Sequence, residues 1–415
     1  MRPDRARVWR WIVLAGVLAS CRSDPAESPH TRLPIETPKN KLGVHLLLDD
    51  GLGAWPVEVW PEHLDYARQA VGEWGFALQL VRLDDLDPAK WQVFMDLCAE
   101  RHLTPVLRLA TTVNRRKGWW RAPPPDRYGQ GYETVARRYA RFVAALEWPT
   151  DAHYVTVGNE PNHGNEWGGR PDPAAYGRFF IDVADALHAA DPQVRVLNAG
   201  LDPYAPHTGG LPFVDGMYYV DEETFLDEMV AAEPSALARV DVWASHAYPM
   251  GAFRGGPWEQ AYGRDMLNDA HNPAHREPPE GVANRGVNGY EWELWKLSTY
   301  GIDPLPVMIT ETGWRHAESA DPASLDALPD LPDGETVAAY VDMALRGNGG
   351  RYPEYPDDGW TPWLDDPRVV AVMPFALDGD PAEWGHTNWL VLGESGEVVG
   401  MYPVFDLLAG LEKSG

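Results

Sequence analysis

Short apolar runs alternate with amphipathic stretches along most of this chain, and this alternation constrains its fold more than any other feature. Eight apolar runs predict strands, and their nearly continuous apolar content is typical of parallel strands that are covered on both faces. The predicted strands are Gly43–Leu48, Ala77–Leu83, Thr104–Leu109, His153–Gly158, Val194–Ala199, Val240–Ser245, Pro306–Thr310 and Val369–Phe375. Strands that alternate with helices predict βα units and a parallel sheet.

Helices are predicted between these strands. Asp87 and Pro88 form an N-cap followed by proline at the first helical position, and they begin a helix that runs to about His102. Another helix is predicted from Pro61 to Trp74, with Gly75 as its C-cap. The remaining predicted helices are Tyr132–Trp148, Pro173–Ala190, Glu222–Glu233, Tyr290–Tyr300, Glu335–Arg346 and Tyr402–Leu411.

Eight strands alternating with eight helices predict an α/β fold of the (β/α)₈ TIM-barrel class, as a single domain with long βα loops. The alternative is an open doubly wound sheet. Two features disfavour it: no glycine-rich phosphate loop follows the first strand, and the long polar insertions follow strands rather than helices. The longest insertions, about 111–131, 201–220, 247–288 and 376–399, would border the active site of a barrel.

The charge balance limits the classes of partner. With 35 basic and 62 acidic residues, the net charge is −27, which disfavours binding to nucleic acid and is more compatible with a neutral substrate. The charge also serves solubility, which is the simpler explanation for it. The 19 tryptophans suit stacking on sugar rings, although core packing explains many of them equally well.

The N-terminus has the features of an export signal. A positively charged start precedes a short apolar run that ends in Leu18-Ala19-Ser20-Cys21, which resembles a bacterial lipobox. We therefore predict a signal peptide over 1–21 with lipidation of Cys21, a flexible tether over 22–41, and a folded domain over 42–415. The protein would be exported and lie at the cell surface, attached to the membrane only through its lipid. An uncleaved anchor or an ordinary signal peptide are the alternatives.

Two glutamates follow apolar strands at opposite places in the eightfold pattern. Glu160 ends the fourth strand in Val-Gly-Asn-Glu-Pro, and Glu311 ends the seventh in Ile-Thr-Glu-Thr-Gly-Trp. A carboxylate buried without a partner is costly, so both side chains should face the mouth of a barrel, where strands four and seven oppose each other. Hydrolysis of a glycosidic bond needs one carboxyl that holds a proton and one that is ionised.

These two motifs resemble those of the clan A glycoside hydrolases, which include the family 5 cellulases and mannanases and the family 39 enzymes. The resemblance extends over the strand order from about Leu42 to Leu411, but it is specific at only a few positions. It implies a retaining hydrolase of β-linked poly- or oligosaccharides, with Glu160 as acid/base and Glu311 as nucleophile. The sequence between the glutamates does not assign the chain to family 5 rather than family 39.

The resemblance also implies roles for other residues. Asn159 would contact the sugar 2-hydroxyl, and His246 and Tyr248, in Ser-His-Ala-Tyr-Pro, would form hydrogen bonds near the nucleophile and substrate. Trp384, after the eighth strand, would stack on a sugar. Trp314 is a weaker candidate for stacking. Independently of the resemblance, Trp119-Trp120 in the third loop would add a subsite or a lid, and packing within the loop is an equal alternative.

One arginine is expected to support the nucleophile. Arg82 and Arg108 interrupt the second and third apolar strands, where an arginine needs a carboxylate partner. In the clan, such an arginine pairs with the nucleophile and borders the substrate site. Either residue could serve, and a structural ion pair in the core is the alternative for each.

Several other activities have no motif in the sequence. No metal-binding, serine-esterase or nucleotide-binding motif is present, so we expect no metal and no cofactor. The expected partner is a carbohydrate, and we expect a monomer. A surface lipoprotein that binds polysaccharide with a degenerate, non-catalytic barrel is the competing hypothesis. A third hypothesis keeps the chemistry but assigns it to trimming of the cell's own exopolysaccharide.

Overall fold

A computed structural model of the chain describes residues 38–51, 53–127, 131–213, 216–263, 272–318 and 330–413. The predicted signal peptide, the lipidation site Cys21 and the tether up to residue 37 lie outside the described residues. The last tether residues are described: Asn40 donates to the carbonyl of Val71, and Lys41 donates to those of Leu364 and Asp366. None of the described helices is both long and apolar enough to cross a membrane.

All eight predicted strands are found in the described residues, and all of them pair in parallel. The strands are β1 (Gly43–Leu46), β2 (Phe76–Arg82), β3 (Thr104–Ala110), β4 (Val113–Asn114), β5 (Trp119–Trp120), β6 (His153–Val157), β7 (Val194–Leu197), β8 (Trp243–His246), β9 (Val307–Glu311), β10 (Val369–Val372), β11 (Leu390–Leu392) and β12 (Val398–Met401). The parallel strands form two sheets, with strand orders β1-β2-β3-β6-β7 and β8-β9-β10. Two short antiparallel hairpins that the sequence did not predict, β4–β5 and β11–β12, lie in the loops.

Isolated parallel bridges connect the two sheets at both of their edges. Leu42, just before β1, pairs with Val372 of β10, and Leu197 of β7 pairs with Val242, just before β8. The eight parallel strands therefore follow one another around in chain order. Their carboxyl ends lie at the same edge, because neighbouring parallel strands run in the same direction.

Two layers of apolar side chains lie on the two faces of the strands. One buried cluster packs strand residues such as Ala77 and Leu107 against the helices. A separate buried cluster contains the alternate residues, as the pleat of a strand requires. Its members come from seven of the parallel strands or their immediate flanks and include Phe76, Val106, Tyr154, Leu197, Val242, Met308 and Ala371.

At least one helix lies between each parallel strand and the next one along the chain. The helices of eight or more residues are α1 (Trp60–Val71), α2 (Pro88–Arg101), α3 (Glu133–Val143), α4 (Pro173–Ala190), α5 (Glu222–Ala232), α7 (Tyr290–Thr299), α8 (Gly334–Arg346) and α10 (Pro403–Gly410). Two short helices, α6 (Met250–Phe253) and α9 (Pro381–Trp384), lie in the long loops. Asp87 caps α2 as predicted, because its side chain accepts the N–H of Ala89.

Two helix ends differ from the prediction. Helix α1 ends at Gly72 rather than Gly75, because Gly72 has a φ of 83°, a conformation that glycine adopts readily. Helix α3 ends at Val143 rather than Trp148. The Trp148 indole instead donates to the carbonyl of Val143, which satisfies one acceptor at the end of the helix.

Candidate active site

A cavity of about 480 Å³ opens at the carboxyl ends of the parallel strands. This volume is within the range of small-molecule sites, roughly 300–1,000 Å³. Of the residues that the sequence predicted for the site, six besides Glu311 line this cavity. They are Arg108, Trp120, Asn159, Glu160, Tyr248 and Trp384. His246 reaches the same place through its hydrogen bond to Glu160.

Glu160 has an unusual backbone conformation. It follows β6 after Gly158, whose φ is 91°, and its own φ of 33° is rare for a residue with a side chain. Such a conformation costs roughly 1–3 kcal/mol and persists only where the surroundings hold it. Here the Glu160 N–H donates to the carbonyl of Gly200 at 3.0 Å, and the Glu160 carbonyl accepts the N–H of His163 at 2.8 Å. The loop thus fixes the direction of the Glu160 side chain.

His246, at the end of β8, is the direct partner of Glu160. Its Nδ1 lies 2.8 Å from Glu160 Oε1 and 3.7 Å from Glu311 Oε2. Burial lowers the pKa of His246, but the two carboxyl groups outweigh that effect and raise it. The close approach of the imidazole depends on Gly200, because a Cβ at that position would lie 2.1 Å from His246 Cδ2.

Glu311 is held through both of its carboxylate oxygens. Arg108 Nη2 lies 2.5 Å from Oε1, and the Tyr248 hydroxyl donates to Oε2 at 3.0 Å. Burial opposes ionisation of Glu311, but Arg108 and His246 outweigh it and lower its pKa to about 2. Tyr248 stays protonated, because burial and the neighbouring Glu311 carboxylate raise its pKa well above the ordinary value. Glu311 is therefore a fixed, ionised carboxylate at neutral pH.

His45 on β1 completes this arrangement as a neutral imidazole. Burial, followed by the Arg108 guanidinium, lowers the pKa of His45 well below its ordinary value. Arg108 Nη2 donates to His45 Nε2 at 2.7 Å, so the proton of the neutral ring is on Nδ1. The 3.7 Å approach of Nε2 to Glu311 Oε1 is thus not an ion pair. His45 orients Arg108, which in turn contacts Glu311.

Glu160, His246 and Glu311 lie close enough together to act as ligands of one metal ion. One ligand atom from each lies within 4.8 Å of the others, and this is the only such group in the described ranges of the chain. However, the buried Arg108 guanidinium already lies 2.5 Å from Glu311 Oε1. A second cation beside it would be repelled, which disfavours metal binding at this place.

The structure distinguishes between the two candidate arginines. Arg108 contacts Glu311, whereas Arg82 lies outside the residues that line the cavity. The Arg82 guanidinium pairs with Asp49 and approaches Asp84 and Asp85. Arg82 extends from the last position of β2 toward these aspartates, so a substrate-binding role for it is not supported by its position. Arg108, in the middle of β3, extends into the interior instead.

Two residues offer unused hydrogen-bonding atoms to the cavity. Asn159 Oδ1 and Trp384 Nε1 are both buried and have no hydrogen-bond partner among the described residues. Trp384 packs edge-on against Phe375, with ring centroids 4.8 Å apart. Trp314 is different: it is buried, and its Nε1 donates to the Gly255 carbonyl at 2.7 Å, so it belongs to the core. A free acceptor and a free donor beside the carboxyl pair are available to a ligand.

Other residues that line the cavity were not predicted from the sequence, and they include Glu166, Asp202, His45 and Arg315. Glu166 and Asp202 come from the loops after β6 and β7, and burial followed by the Glu160 charge raises their pKa values, that of Asp202 to about 6. Neither residue is part of a motif. His45 could have been noticed as a polar residue inside an apolar strand, and Arg315 as the residue just after the Thr-Glu-Thr-Gly-Trp motif.

Comparison with known proteins gives structural neighbours only. No protein-family model matches the chain, and no curated protein matches it. The solved structures that resemble it include a β-glucosidase double mutant from Trichoderma harzianum, with 12% identity, coverage of 90% of this chain and 98% of that chain, and a TM-score of 0.48. A GH5_18 protein from Streptomyces cattleya, in complex with Manb1-4GlcNAc, has 16% identity, coverage of 89% and 79%, and a TM-score of 0.48.

A third neighbour is a GH86 variant in complex with neoagarooctaose, with 12% identity and a TM-score of 0.46. The match covers 90% of this chain but only 59% of that protein's length. All three neighbours are glycoside hydrolases, the class to which the sequence resemblance pointed. Similarity at this level does not assign an activity to this chain.

Proposed function

We propose that this protein is a retaining glycoside hydrolase, with Glu311 as nucleophile and Glu160 as acid/base. One observation carries the proposal: a carboxyl oxygen of Glu160 and one of Glu311 lie within 4.8 Å of each other, in one cavity and in opposite electrostatic surroundings. Retaining enzymes place their two carboxyl groups about 5–5.5 Å apart, whereas inverting enzymes need roughly 6.5–9.5 Å to admit a water molecule.

The first chemical step uses the two groups together. A Glu311 oxygen attacks the anomeric carbon and forms a glycosyl ester, while the bond from that carbon to the leaving oxygen breaks. Glu160 transfers its proton to the leaving oxygen, which departs as an alcohol. Arg108 and Tyr248 hold the Glu311 carboxylate in one orientation before the attack.

The second step reverses the role of Glu160. As a carboxylate, it takes a proton from a water molecule, whose oxygen attacks the anomeric carbon and releases Glu311. The free enzyme then again has a proton on the hydrogen bond between Glu160 Oε1 and His246 Nδ1, which are 2.8 Å apart. His246 is thus a positioning residue that keeps this proton beside the leaving group.

The scaffold that we propose is a closed (β/α)₈ barrel. The bridges Leu42–Val372 and Leu197–Val242 connect the edges of the two sheets, and one apolar cluster draws on strands of both. Filling of a barrel interior by alternate strand residues is the expected packing of this fold. A site at the carboxyl ends of the strands agrees with this architecture, because that is where barrel enzymes carry their catalytic loops.

For the substrate we propose a β-linked poly- or oligosaccharide. The β linkage rests on the sequence resemblance. The unpartnered Asn159 Oδ1 is an acceptor for a sugar hydroxyl, and Trp384 offers both a ring edge and a free indole N–H to the cavity. Buried polar atoms without partners are costly, so a ligand that satisfies them gains affinity from it.

Export and lipidation remain proposals from the sequence. The expected consequence is that wild-type protein fractionates with membranes and Cys21→Ser protein does not. Radiolabelled fatty acid should be incorporated only into the wild type. Membrane association of the Cys21→Ser variant would contradict the lipobox hypothesis and favour an uncleaved anchor.

The stereochemistry of hydrolysis tests the proposed mechanism. Proton NMR of the first product formed from a cleavable β-glycoside should show the β-anomer before mutarotation produces the α-anomer. Initial formation of the α-anomer would mean inversion and would remove Glu311 as a nucleophile. If a broad panel of polysaccharides and aryl glycosides shows no hydrolysis, the non-catalytic binding lipoprotein becomes the better hypothesis.

A further inference from the structure

Arg315 is a cation in the cavity that the proposed mechanism does not use. It lines the same cavity as Glu160 and Glu311 and follows the nucleophile by four residues. Its guanidinium lies over the ring of Phe253, 4.9 Å from the centroid. Phe253 in turn packs on Tyr248, with centroids 4.2 Å apart. Arg315 is therefore two ring contacts away from the hydroxyl that holds Glu311.

The Arg315 guanidinium has no acidic partner in the part of the chain that the structure describes. The side-chain Nε of Arg315 is buried and donates to no acceptor among the described residues. The backbone N–H of Arg315 donates to the carbonyl of Phe253. Burial lowers its pKa, but an arginine remains charged. A partly buried guanidinium without a counter-ion is costly, and a bound anion would relieve that cost.

A second basic feature lies beside the cavity. The hairpin β4–β5 and its next residue carry Arg115, Arg116, Lys117 and Arg121, all exposed, and no acidic residue between them. None of the four makes an ion pair with a described residue. Trp120 of this hairpin lines both the main cavity and a neighbouring cavity of about 220 Å³, which Lys117, Trp119 and Arg121 also line. Basic side chains thus lie along the hairpin next to the cavity, although the net charge of the whole chain is −27.

We propose that the substrate is an anionic polysaccharide, with one acidic substituent bound by Arg315 and further acidic residues of the polymer passing the β4–β5 hairpin. This inference rests on the proposed function and names the substrate class of the same site. It departs from the neutral substrate that the overall charge favoured, because Arg315 in the cavity and the basic residues of the β4–β5 hairpin beside it offer positive charges to a ligand.

The chemistry of the substituent is a planar carboxylate or a sulfate ester. A guanidinium offers parallel N–H donors to two oxygens of either group, which gives both affinity and orientation. Trp119 and Trp120 are half-buried on the β4–β5 hairpin, and Lys117 Nζ lies over the Trp119 ring, 4.2 Å from its centroid. Burial and the charge of Glu160 raise the pKa of Glu166 well above its ordinary value, which reduces the repulsion between Glu166 and a bound anion.

The test compares acidic glycans with matched neutral forms of the same polymers. Polyuronates would be assayed beside their carboxyl-reduced forms, and sulfated galactans beside their desulfated forms, for both hydrolysis and binding by affinity electrophoresis. We expect the full-length protein to bind and cleave at least one acidic polymer in preference to its neutral form. The pair that shows the preference distinguishes a carboxylate from a sulfate.

Variants of Arg315 assign the preference to this residue. We expect Arg315→Gln to raise KM for the acidic substrate about 10-fold to 100-fold, which is the usual cost of losing hydrogen bonds to a charged group. We expect kcat to change less than KM, and Arg315→Lys to recover part of the loss. Arg137→Gln, which removes an exposed arginine that pairs with Glu133 on α3, is the matched control and should leave both constants unchanged.

The hairpin is tested by replacing Arg115, Arg116, Lys117 and Arg121 together with glutamine. Binding to the acidic polymer should weaken and lose most of its dependence on salt, because that dependence comes from these charges. Equal hydrolysis of acidic and neutral forms, unchanged by Arg315→Gln, would overturn the inference and leave the glycosidase proposal standing. Binding of acidic polymers without any hydrolysis would support the inference and contradict the proposed function. If the protein binds neither the acidic nor the neutral form of any polymer, both the inference and the proposed function are contradicted.

Discussion

The Glu311 side of the cavity and the Glu160 side contain the same functional group in opposite surroundings. Glu311 meets Arg108 and Tyr248, and its pKa is lowered to about 2. On the other side, Glu160 meets His246 and lies close to two further carboxyl groups, Glu166 and Asp202. A guanidinium and a phenol hydroxyl contact Glu311, whereas a histidine contacts Glu160 and two further acids lie near it.

The site therefore has two halves. The charge-holding half consists of Glu311 with Arg108 and Tyr248, and the proton-holding half consists of Glu160 with its acidic neighbours Glu166 and Asp202. Like charges raise the pKa of a carboxyl group, and opposite charges lower it. The pKa values of Glu166 and Asp202 are raised by burial and by the charge of Glu160. These two carboxyl groups therefore hold their protons more tightly than Glu311, whose pKa is lowered.

The largest effect is expected when the carboxylate of the charge-holding half is removed. Glu311→Ala should lower kcat by about 10⁴-fold or more on every substrate, because no nucleophile remains. Azide should rescue part of the activity on an activated aryl glycoside and give a glycosyl azide of inverted configuration. The rates are measured by chromophore release, with Glu133→Ala, an exposed glutamate on α3, as control. Activity equal to wild type would refute the role of Glu311.

Loss of the proton-holding half should depend on the leaving group. Glu160→Gln should lower kcat/KM about 10²-fold to 10⁴-fold on natural linkages, which need protonation to depart. On aryl glycosides with acidic phenols, the first step should be nearly unaffected. A plot of rate against leaving-group pKa should therefore become steeper in the variant. A uniform loss on all leaving groups would show that Glu160 does not act as the acid.

Arg108 should set the acid limit of the pH profile. Glu311 has a folded-state pKa below its ordinary value, so its ionised form is lost only as pH falls toward about 2. Arg108→Gln removes the main opposing charge, so the pKa of Glu311 should rise and the acid limb of kcat/KM should move to higher pH. The control is Arg82→Gln, which removes the pairing with Asp49 and should leave that limb in place. An equal shift of the acid limb of kcat/KM in both variants would contradict the assignment of Arg108, rather than Arg82, as the partner of Glu311.

The smallest effect concerns stability on the proton-holding side. The pKa of Asp202 in the folded state is raised to about 6, above its ordinary value of 3.8. Its contribution is thus fully present below pH 3.8 and is lost as pH rises through about 6. In Asp202→Asn, the Tm should fall less than in the wild type over this interval, as measured by calorimetry. Parallel Tm curves for the two proteins would mean that Asp202 titrates normally.

The strands and the two glutamates could be predicted from sequence because local patterns encode them. An apolar run of strand length needs no knowledge of its neighbours, and a carboxylate at the end of such a run is conspicuous. Helix ends were less accurate: Gly72 rather than Gly75 ends α1, because the sequence does not show which glycine adopts positive φ. The short hairpin β4–β5 carries too few residues for a periodic signal.

The rest of the site depends on contacts between distant residues. Glu166 and Asp202 belong to no motif, and their significance follows only from their closeness to Glu160. Arg82 and Arg108 stand in similar apolar runs, so only the fold reveals which one faces Glu311. His45 becomes meaningful through Arg108, to which it lies 2.7 Å away although 63 residues separate the two.

If Glu311 is the nucleophile of a retaining hydrolase, its glycosyl ester can be trapped. The protein would be incubated with a panel of activated 2-deoxy-2-fluoroglycosides, including uronic acid derivatives, then digested and analysed by mass spectrometry. We expect one sugar adduct per protein on the peptide that contains Glu311, and none on the Glu311→Ala variant. An adduct on another carboxyl group, or hydrolysis of the same glycosides with inversion, would contradict this role of Glu311.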